Sequence, residues 1–135
     1  MRLFTITTAF AALCCVSAVQ AQEIDCDQAT TQLEMNLCAQ QDFQIADKAL
    51  NAAYSKAVAA MKSVDANLDG NMKGAEKALR EAQRAWITFR DNACAAEGYL
   101  MRGGSAEPLL VNGCLARLTD QRTADLESLA LGVEG

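Results

Sequence analysis

The clearest hydrophobic pattern lies in the middle of the chain, where apolar residues recur at alternating spacings of four and three. This spacing places them on one face of a helix, which we predict over residues 74–97. The six positions are Ala75, Leu79, Ala82, Trp86, Phe89 and Ala93. Because large aromatic residues favour the interior, we expect Trp86 and Phe89 to fill the core.

Two further helices are predicted before this one. Thr31 and Glu34 fit a capping box, which indicates a short helix that begins there and ends at Cys38. A second helix is predicted over residues 42–63. Its apolar face consists of Phe43, Ala46, Leu50, Ala53, Tyr54, Ala57 and Met61.

The last third of the chain contains a loop and one more helix. Residues 98–108 include three glycines and the only proline of the chain, a composition typical of a loop. The helix begins between Leu109 and Asn112 and ends near Ala130. The sequence therefore predicts an all-α fold, a small antiparallel helical bundle of three main helices plus a short N-terminal helix.

The N-terminus has the pattern of a secretory signal peptide. A basic start and an apolar run lead to Val19-Gln20-Ala21, with small residues at the −3 and −1 positions of a cleavage site. We predict that residues 1–21 are cleaved and that residues 22–135 form a single domain. A membrane anchor is disfavoured because a span needs about 20 apolar residues. A lipoprotein is disfavoured because alanine stands where a lipobox before Cys14 or Cys15 would have leucine.

The charge balance of the chain is acidic. Cleavage removes one of the 12 basic residues and none of the 17 acidic ones, so the mature chain has a net charge of −6. A chain of this charge should not bind nucleic acid or insert stably into an anionic membrane. It should instead attract a cationic partner.

Four cysteines remain after cleavage, namely Cys26, Cys38, Cys94 and Cys114. An even number in a small exported chain predicts two disulfides. Zinc binding is the alternative, but the chain has no histidine and no Cys-x-x-Cys pair. Among three connectivities, geometry favours Cys26–Cys38 with Cys94–Cys114. A helix from Thr30 to Cys38 rises about 12 Å, and the extended chain from Cys26 to Thr30 reaches about 13 Å.

The chain offers little for catalysis. It has no histidine, so the usual proton shuttle near neutral pH and any Ser-His-Asp triad are excluded. Glu34 and Asp47 are the residue types of a glycoside hydrolase. Helix capping or pairing with arginine is the favoured explanation of these carboxylates, because carboxylates on a buried face are usually paired. We therefore expect a protein that is not an enzyme and needs no cofactor.

Polar residues on or beside the predicted packing faces form the candidate polar network. They are Glu34, Asp47, Asn51, Tyr54, Gln83, Trp86, Arg90 and Arg122. Burying unpaired charges is costly, so we predict that these groups meet one another, with Asp47 paired to Arg90 or Arg122. The network either fixes the register of the helices or lines a polar binding pocket.

Residues 65–76 fit the calcium-loop pattern D-x-[DN]-x-[DN]-G-x5-E between two predicted helices. The candidate ligands are Asp65, Asn67, Asp69 and Glu76. Lys73 at the ninth position counts against calcium, and no second loop is present to pair with this one. An ordinary connection between helices has the same residue types.

The loop at residues 98–108 is the candidate partner-binding surface. If Cys94 pairs with Cys114, the loop is fixed at its base, which lowers the entropy cost of binding. The candidate contact residues are Tyr99, Leu100, Met101, Ser105 and Glu107. The alternative is a linker whose apolar residues pack back onto the bundle.

Three motifs together resemble a known family. They are the four cysteines, the segment Asp47-x-x-Leu50-Asn51-x-x-Tyr54 and the segment Gln83-Arg84-x-Trp86. This combination, which extends from Cys26 to Leu126, resembles the LprI-type lysozyme-inhibitor domain. The resemblance implies a small, exported, disulfide-bonded helical domain of the bacterial envelope, with neighbouring cysteines paired.

Two functions of different classes follow from these observations. The first is a periplasmic or secreted inhibitor that binds lysozyme or another cationic muramidase. Its acidic surface would steer association, and the loop at residues 98–108 would occlude the cleft. The second is a structural or ligand-binding envelope module without lysozyme activity, with calcium as its candidate ligand.

Overall fold

The computed structural model describes residues 24–132, which form three long helices and two short 3-10 turns. Helix α1 spans Gln32–Ala66, α2 spans Ala75–Gly98 and α3 spans Glu107–Leu131. The 3-10 turns are Cys26–Gln28 and Tyr99–Met101. The predicted all-α bundle is confirmed. The predicted signal peptide lies outside the described residues.

Helix α1 begins where the capping box predicts but does not end at Cys38. The Thr31 hydroxyl accepts the Glu34 N–H, and the Glu34 carboxylate accepts the Thr31 N–H. The helix is 35 residues long in total, so the two helices predicted before residue 64 are one continuous helix. The physical reason is that residues 39–41 are alanine and glutamines, which are good helix formers, and neither glycine nor proline interrupts them.

Helix α3 begins earlier than the hydrophobic pattern predicts. Glu107 is its first residue and Pro108 lies in its first turn, where the missing N–H of proline removes no helical hydrogen bond. Helix α2 extends to Gly98, within one residue of its predicted end. The predicted loop is therefore shorter, and its middle is the 3-10 turn Tyr99–Met101.

The two predicted disulfides are present. Cys26 and Cys38 are joined with a Cα–Cα distance of 5.6 Å, and Cys94 and Cys114 with 5.4 Å. The first holds the N-terminal 3-10 turn against the side of α1. The second joins the end of α2 to the start of α3 and is buried.

The core lies between all three helices, and α1 and α3 form the main interface. Its buried residues are Leu50, Ala53, Ala57, Leu79 and Leu126. Trp86 and Tyr54 are partly buried against this cluster. Phe89 is 61% exposed, so the prediction that it fills the core is wrong. The buried face of α2 passes through Gln83 and Arg90 instead.

Contacts at the two ends of the bundle give the helix directions. Near the start of α1, Asn36 donates to the Ser105 carbonyl just before α3. At the other end, Asp65 of α1 contacts the first residues of α2. Helix α2 is therefore antiparallel to both α1 and α3. Within residues 24–132, no helix is long and apolar enough to cross a membrane.

Candidate functional site

The connection between α2 and α3 presents exposed apolar side chains, and we call residues 98–108, which include the helix ends, the connecting loop. Its base is closed by the buried Cys94–Cys114 disulfide. Gly98 is packed against α3, because a Cβ there would lie 2.5 Å from Val111 Cγ2. The ends of α2 and α3 are therefore in direct contact, and the loop extends beyond them.

Glu107 organises the interior of the connecting loop. Its carboxylate accepts a hydrogen bond of 2.8 Å from the Gly103 N–H and one of 2.6 Å from Arg102 Nη1. Gly103 has a φ of +76°, a conformation that glycine adopts without strain. Both hydrogen bonds hold the pKa of Glu107 below its ordinary value, and the one from the Gly103 N–H has the larger effect. Glu107, predicted as a contact residue, is thus mainly an internal support of the loop.

A hydrogen bond ties the connecting loop to α1. Asn36 Nδ2 donates to the Ser105 carbonyl at 2.9 Å, and Asn36 Oδ1 accepts from Gln32 Nε2 at 2.9 Å. The sequence does not identify Asn36 as a site residue, because its partner Ser105 is 69 residues away along the chain. Its only signal in the sequence is a polar residue between Met35 and Leu37.

The apolar side chains of the connecting loop point to solvent. Leu100 is 78% exposed and Tyr99 is 64% exposed, and Met101 is also exposed. They line a shallow groove of about 510 Å³ with Gln32, Arg102, Gly104, Ser105 and Ala106. The structure therefore does not pack these residues back onto the bundle, which was the alternative interpretation.

Arg90 is the centre of the predicted polar network. It is 8% exposed, and its guanidinium lies 5.2 Å from the ring centroids of both Phe43 and Trp86. Its Nε lies 2.9 Å from Asp91 Oδ1, and its Nη1 lies 3.6 Å from Asp47 Oδ1. The Asp47–Arg90 contact is thus present, although Asp91 is the nearer partner.

The other polar residues divide into separate contacts. Asn51 donates to Asp47 Oδ2 at 3.0 Å, and Arg122 Nε donates to Gln83 Oε1 at 3.0 Å. Glu34 caps α1 and does not join the network. Every buried side-chain nitrogen or oxygen in the described chain has a hydrogen-bond partner. Two of these contacts join different helices, Arg90 with Asp47 and Arg122 with Gln83, as the interpretation of a structural network predicts.

The residues of the calcium pattern are used differently in the structure. Asp65 accepts three backbone N–H groups, from Gly74, Ala75 and Glu76, at 2.8–3.0 Å. Those N–H groups hold the pKa of Asp65 below its ordinary value of 3.8. Glu76 instead pairs with Arg80 at 2.7 Å. Asn67 donates to the Ser63 carbonyl, back along α1.

The carboxylates expected for calcium are not gathered in the described part of the chain. Across residues 24–132, no three His, Cys, Asp or Glu side chains, Asp69 included, are close enough to hold a metal ion. Both Asp65 oxygens already accept hydrogen bonds from the first turn of α2. The segment at residues 65–76 fits a connection between helices, with Asp65 as the cap of α2.

The charges of the described chain are unevenly distributed. The segments at residues 24–36 and 98–108, both at the loop end of the bundle, carry four carboxylates and one guanidinium, a net charge of −3. The other described residues carry eleven carboxylates and ten basic groups, a net charge of −1. We call these two segments the acidic end, and Arg102 is their only basic residue; the ion pair between Arg117 and Glu97 borders them.

Three comparisons relate this chain to known proteins. Residues 25–126 match the family model described as lysozyme inhibitor LprI, so the match covers α1, α2 and most of α3. An uncharacterized protein of Rhizobium meliloti (strain 1021) is 48% identical over 127 residues, 90% of this chain and 91% of that protein. The crystal structure of a DUF1311 family protein from Pseudomonas putida KT2440 is similar, with a TM-score of 0.63 and 27% identity. That match covers 76% of this chain and 96% of that one.

Proposed function

The chain belongs to the LprI lysozyme-inhibitor family, and from this membership we propose that it binds and inhibits a cationic muramidase and is not itself an enzyme. On the structural side, the connecting loop carries the proposal. It presents exposed apolar side chains on a backbone that a disulfide and internal hydrogen bonds hold in place. A preformed loop of this kind binds without a large loss of conformational entropy.

The charge of the chain supports a basic partner. The full sequence has a net charge of −5, and the acidic end of the molecule is also the end that carries the connecting loop. Opposite charge on the partner would accelerate the encounter and orient it toward the loop. This electrostatic contribution should weaken as salt is added, because the Debye length shortens to about 8 Å at physiological ionic strength.

The positions of the acidic residues support a protein without glycosidase activity. Glu34 and Asp47 are 13 positions apart on α1, a distance of about 20 Å along the helix axis. The two carboxyl groups of a glycosidase lie only about 5–9.5 Å apart. Each carboxylate also has a structural role, Glu34 as a helix cap and Asp47 beside Arg90.

The two disulfides support a location outside the cytoplasm. Disulfides persist in oxidising compartments such as the periplasm and the extracellular space. The muramidases that attack the cell wall act in the same compartments. We therefore include export through the predicted signal peptide in the proposal, with residues 22–135 as the active form.

The test is a lysis assay. Purified residues 22–135 are mixed with lysozymes of several structural classes, and the rate of cell-wall lysis is followed at low and at physiological ionic strength. We expect inhibition of at least one class, stronger at low salt. An acidic protein of similar size and charge is the control for nonspecific complex formation. Lysis at an unchanged rate for every class, with inhibitor in molar excess at low salt, would refute the proposal.

A further inference from the structure

Arg102 is the one basic residue in the two segments that form the acidic end of the bundle, residues 24–36 and 98–108. It lies in the connecting loop, directly after the exposed apolar residues Tyr99, Leu100 and Met101. A lone cation does not strengthen the attraction of this acidic surface to a basic partner. Its hydrogen bond to Glu107 supports the loop, but this bond uses one guanidinium nitrogen and leaves the rest of the group for a second role.

The guanidinium of Arg102 is held in position and is still accessible. Its side chain is 63% exposed, and its carbon Cζ lies 4.9 Å from the centroid of the Tyr99 ring. In the described chain its hydrogen-bond partner is Glu107, which accepts a hydrogen bond from Nη1 only. A guanidinium has five N–H donors, so most of them are available to a carboxylate of another molecule.

A muramidase cleft offers such carboxylates. Glycoside hydrolysis uses a pair of Asp or Glu side chains that flank the scissile bond, so the bottom of the cleft is acidic even in a basic enzyme. In the acidic end of this chain, Arg102 is the single cation of two segments that otherwise carry carboxylates, of which Glu107 is in contact with it. A cation presented by an acidic surface has the charge pattern that would complement such a cleft.

We propose that Arg102 enters the cleft of the inhibited muramidase and pairs with its catalytic carboxylates, while Tyr99, Leu100 and Met101 pack against the walls of the cleft. This inference rests on the proposed function and names the residue that performs it. Arginine suits the role because its planar fork can bind a carboxylate through two parallel hydrogen bonds, which lysine cannot do.

The first experiment compares inhibition constants for Arg102→Gln, Arg102→Lys and the control Arg84→Gln. Arg84 is an exposed arginine on α2, outside the acidic end. We expect Arg102→Gln to raise the inhibition constant at least about 30-fold, the usual effect of removing one partner of a desolvated charge pair. Arg102→Lys should lie between Arg102→Gln and the wild type, because it keeps the charge and loses the fork. The control should stay within about twofold of the wild type.

The second experiment is a double-mutant cycle with a muramidase whose catalytic glutamate is replaced by glutamine. Binding is measured by calorimetry, since this enzyme has no lytic activity to inhibit. We expect the enzyme substitution to weaken binding of the wild-type inhibitor and to have little effect on Arg102→Gln. A purely structural role for Arg102 would give no such coupling. Circular dichroism of each variant verifies that the loop substitution leaves the helices intact.

The outcomes separate the two proposals. If wild-type protein inhibits no muramidase, the proposed function and the role of Arg102 both fail. If it inhibits and Arg102→Gln behaves like Arg84→Gln, or the cycle gives no coupling, the proposed function stands and the role of Arg102 is refuted. Inhibition that depends on both Arg102 and the catalytic glutamate would support both proposals.

Discussion

At the scale of single residues, Arg90 shows how this protein buries a charge. Its guanidinium is enclosed by the rings of Phe43 and Trp86, and carboxylates of Asp91 and Asp47 approach its edge. The rings lie beside the guanidinium, and Asp91 Oδ1 lies 2.9 Å from both Nε and Nη2. Arg90 thereby joins a residue on α1 to one on α2, and Thr119 of α3 lies 3.4 Å from its Nη1.

We expect Arg90→Ala to lower the free energy of unfolding by about 2–4 kcal/mol, because packing is lost and the neighbouring carboxylates lose their cation. Asp47→Asn should cost less than about 1 kcal/mol, because Asp47 is partly exposed and Asp91 remains as a partner. Urea denaturation of the two variants gives both values. Equal losses would show that the Asp47 contact, and not the stacking, holds Arg90 in place.

At the scale of elements, Asp65 stabilises the connection between α1 and α2. It lies in α1, and its carboxylate caps the N-terminus of α2. The residue before α2 is Gly74, which has no side chain to accept the free N–H groups of the first turn. Asp65, in the last turn of α1, accepts three of them. The side chain of Asp65 thus links the end of α1 to the start of α2.

We expect Asp65→Asn to lower the urea midpoint at neutral pH, since the amide is a weaker acceptor and carries no charge for the helix dipole. The folded-state pKa of Asp65 lies below 3.8, so its stabilisation is fully present above that pH and is lost as the pH falls through the folded-state value. The difference between wild type and variant should therefore narrow in acid. A difference independent of pH would contradict the assignment.

The same variant tests the calcium hypothesis. If Asp65 is a cap and not a ligand, excess calcium should leave the melting temperature of both proteins unchanged, because only a ligand that binds the folded state raises it. A rise in the wild type alone would show that calcium binds through Asp65.

At the scale of the whole molecule, the two disulfides have different consequences for the proposed surface. Each restrains the unfolded chain, across sequence separations of 12 and 20 residues, and each should contribute about 3 kcal/mol in the chain-entropy model. Only Cys94–Cys114 closes the base of the connecting loop. Stability and inhibition therefore need not change together.

We expect the paired substitutions Cys26→Ala with Cys38→Ala, and Cys94→Ala with Cys114→Ala, to lower stability by similar amounts. Inhibition should fall more in the second pair, because its loop loses the fixed conformation that lowers the entropy cost of binding. Urea denaturation and the lysis assay, run at a temperature where both variants are folded, give the comparison. If inhibition is lost equally in both pairs, the loop is not the binding surface.

Much of this protein follows from its sequence alone. Hydrophobic spacing identifies α2 and most of α1 and α3, the capping box locates the start of α1, and the cysteine spacing favours the observed pairs. These features are local, because each depends on residues within a few turns or on the short reach of the chain between two cysteines. The acidic charge is likewise a property of composition.

Only the tertiary structure decided which side of each helix is buried and which residues meet across the chain. Adjacent positions on a helix differ by about 100°, so the same spacing is compatible with burying Phe89 or Arg90, and the neighbouring helices bury Arg90. The same holds for Asp65 on the first turn of α2 and for Asn36 on the Ser105 carbonyl. Such contacts depend on where distant segments pack, which periodicity along a single segment does not record.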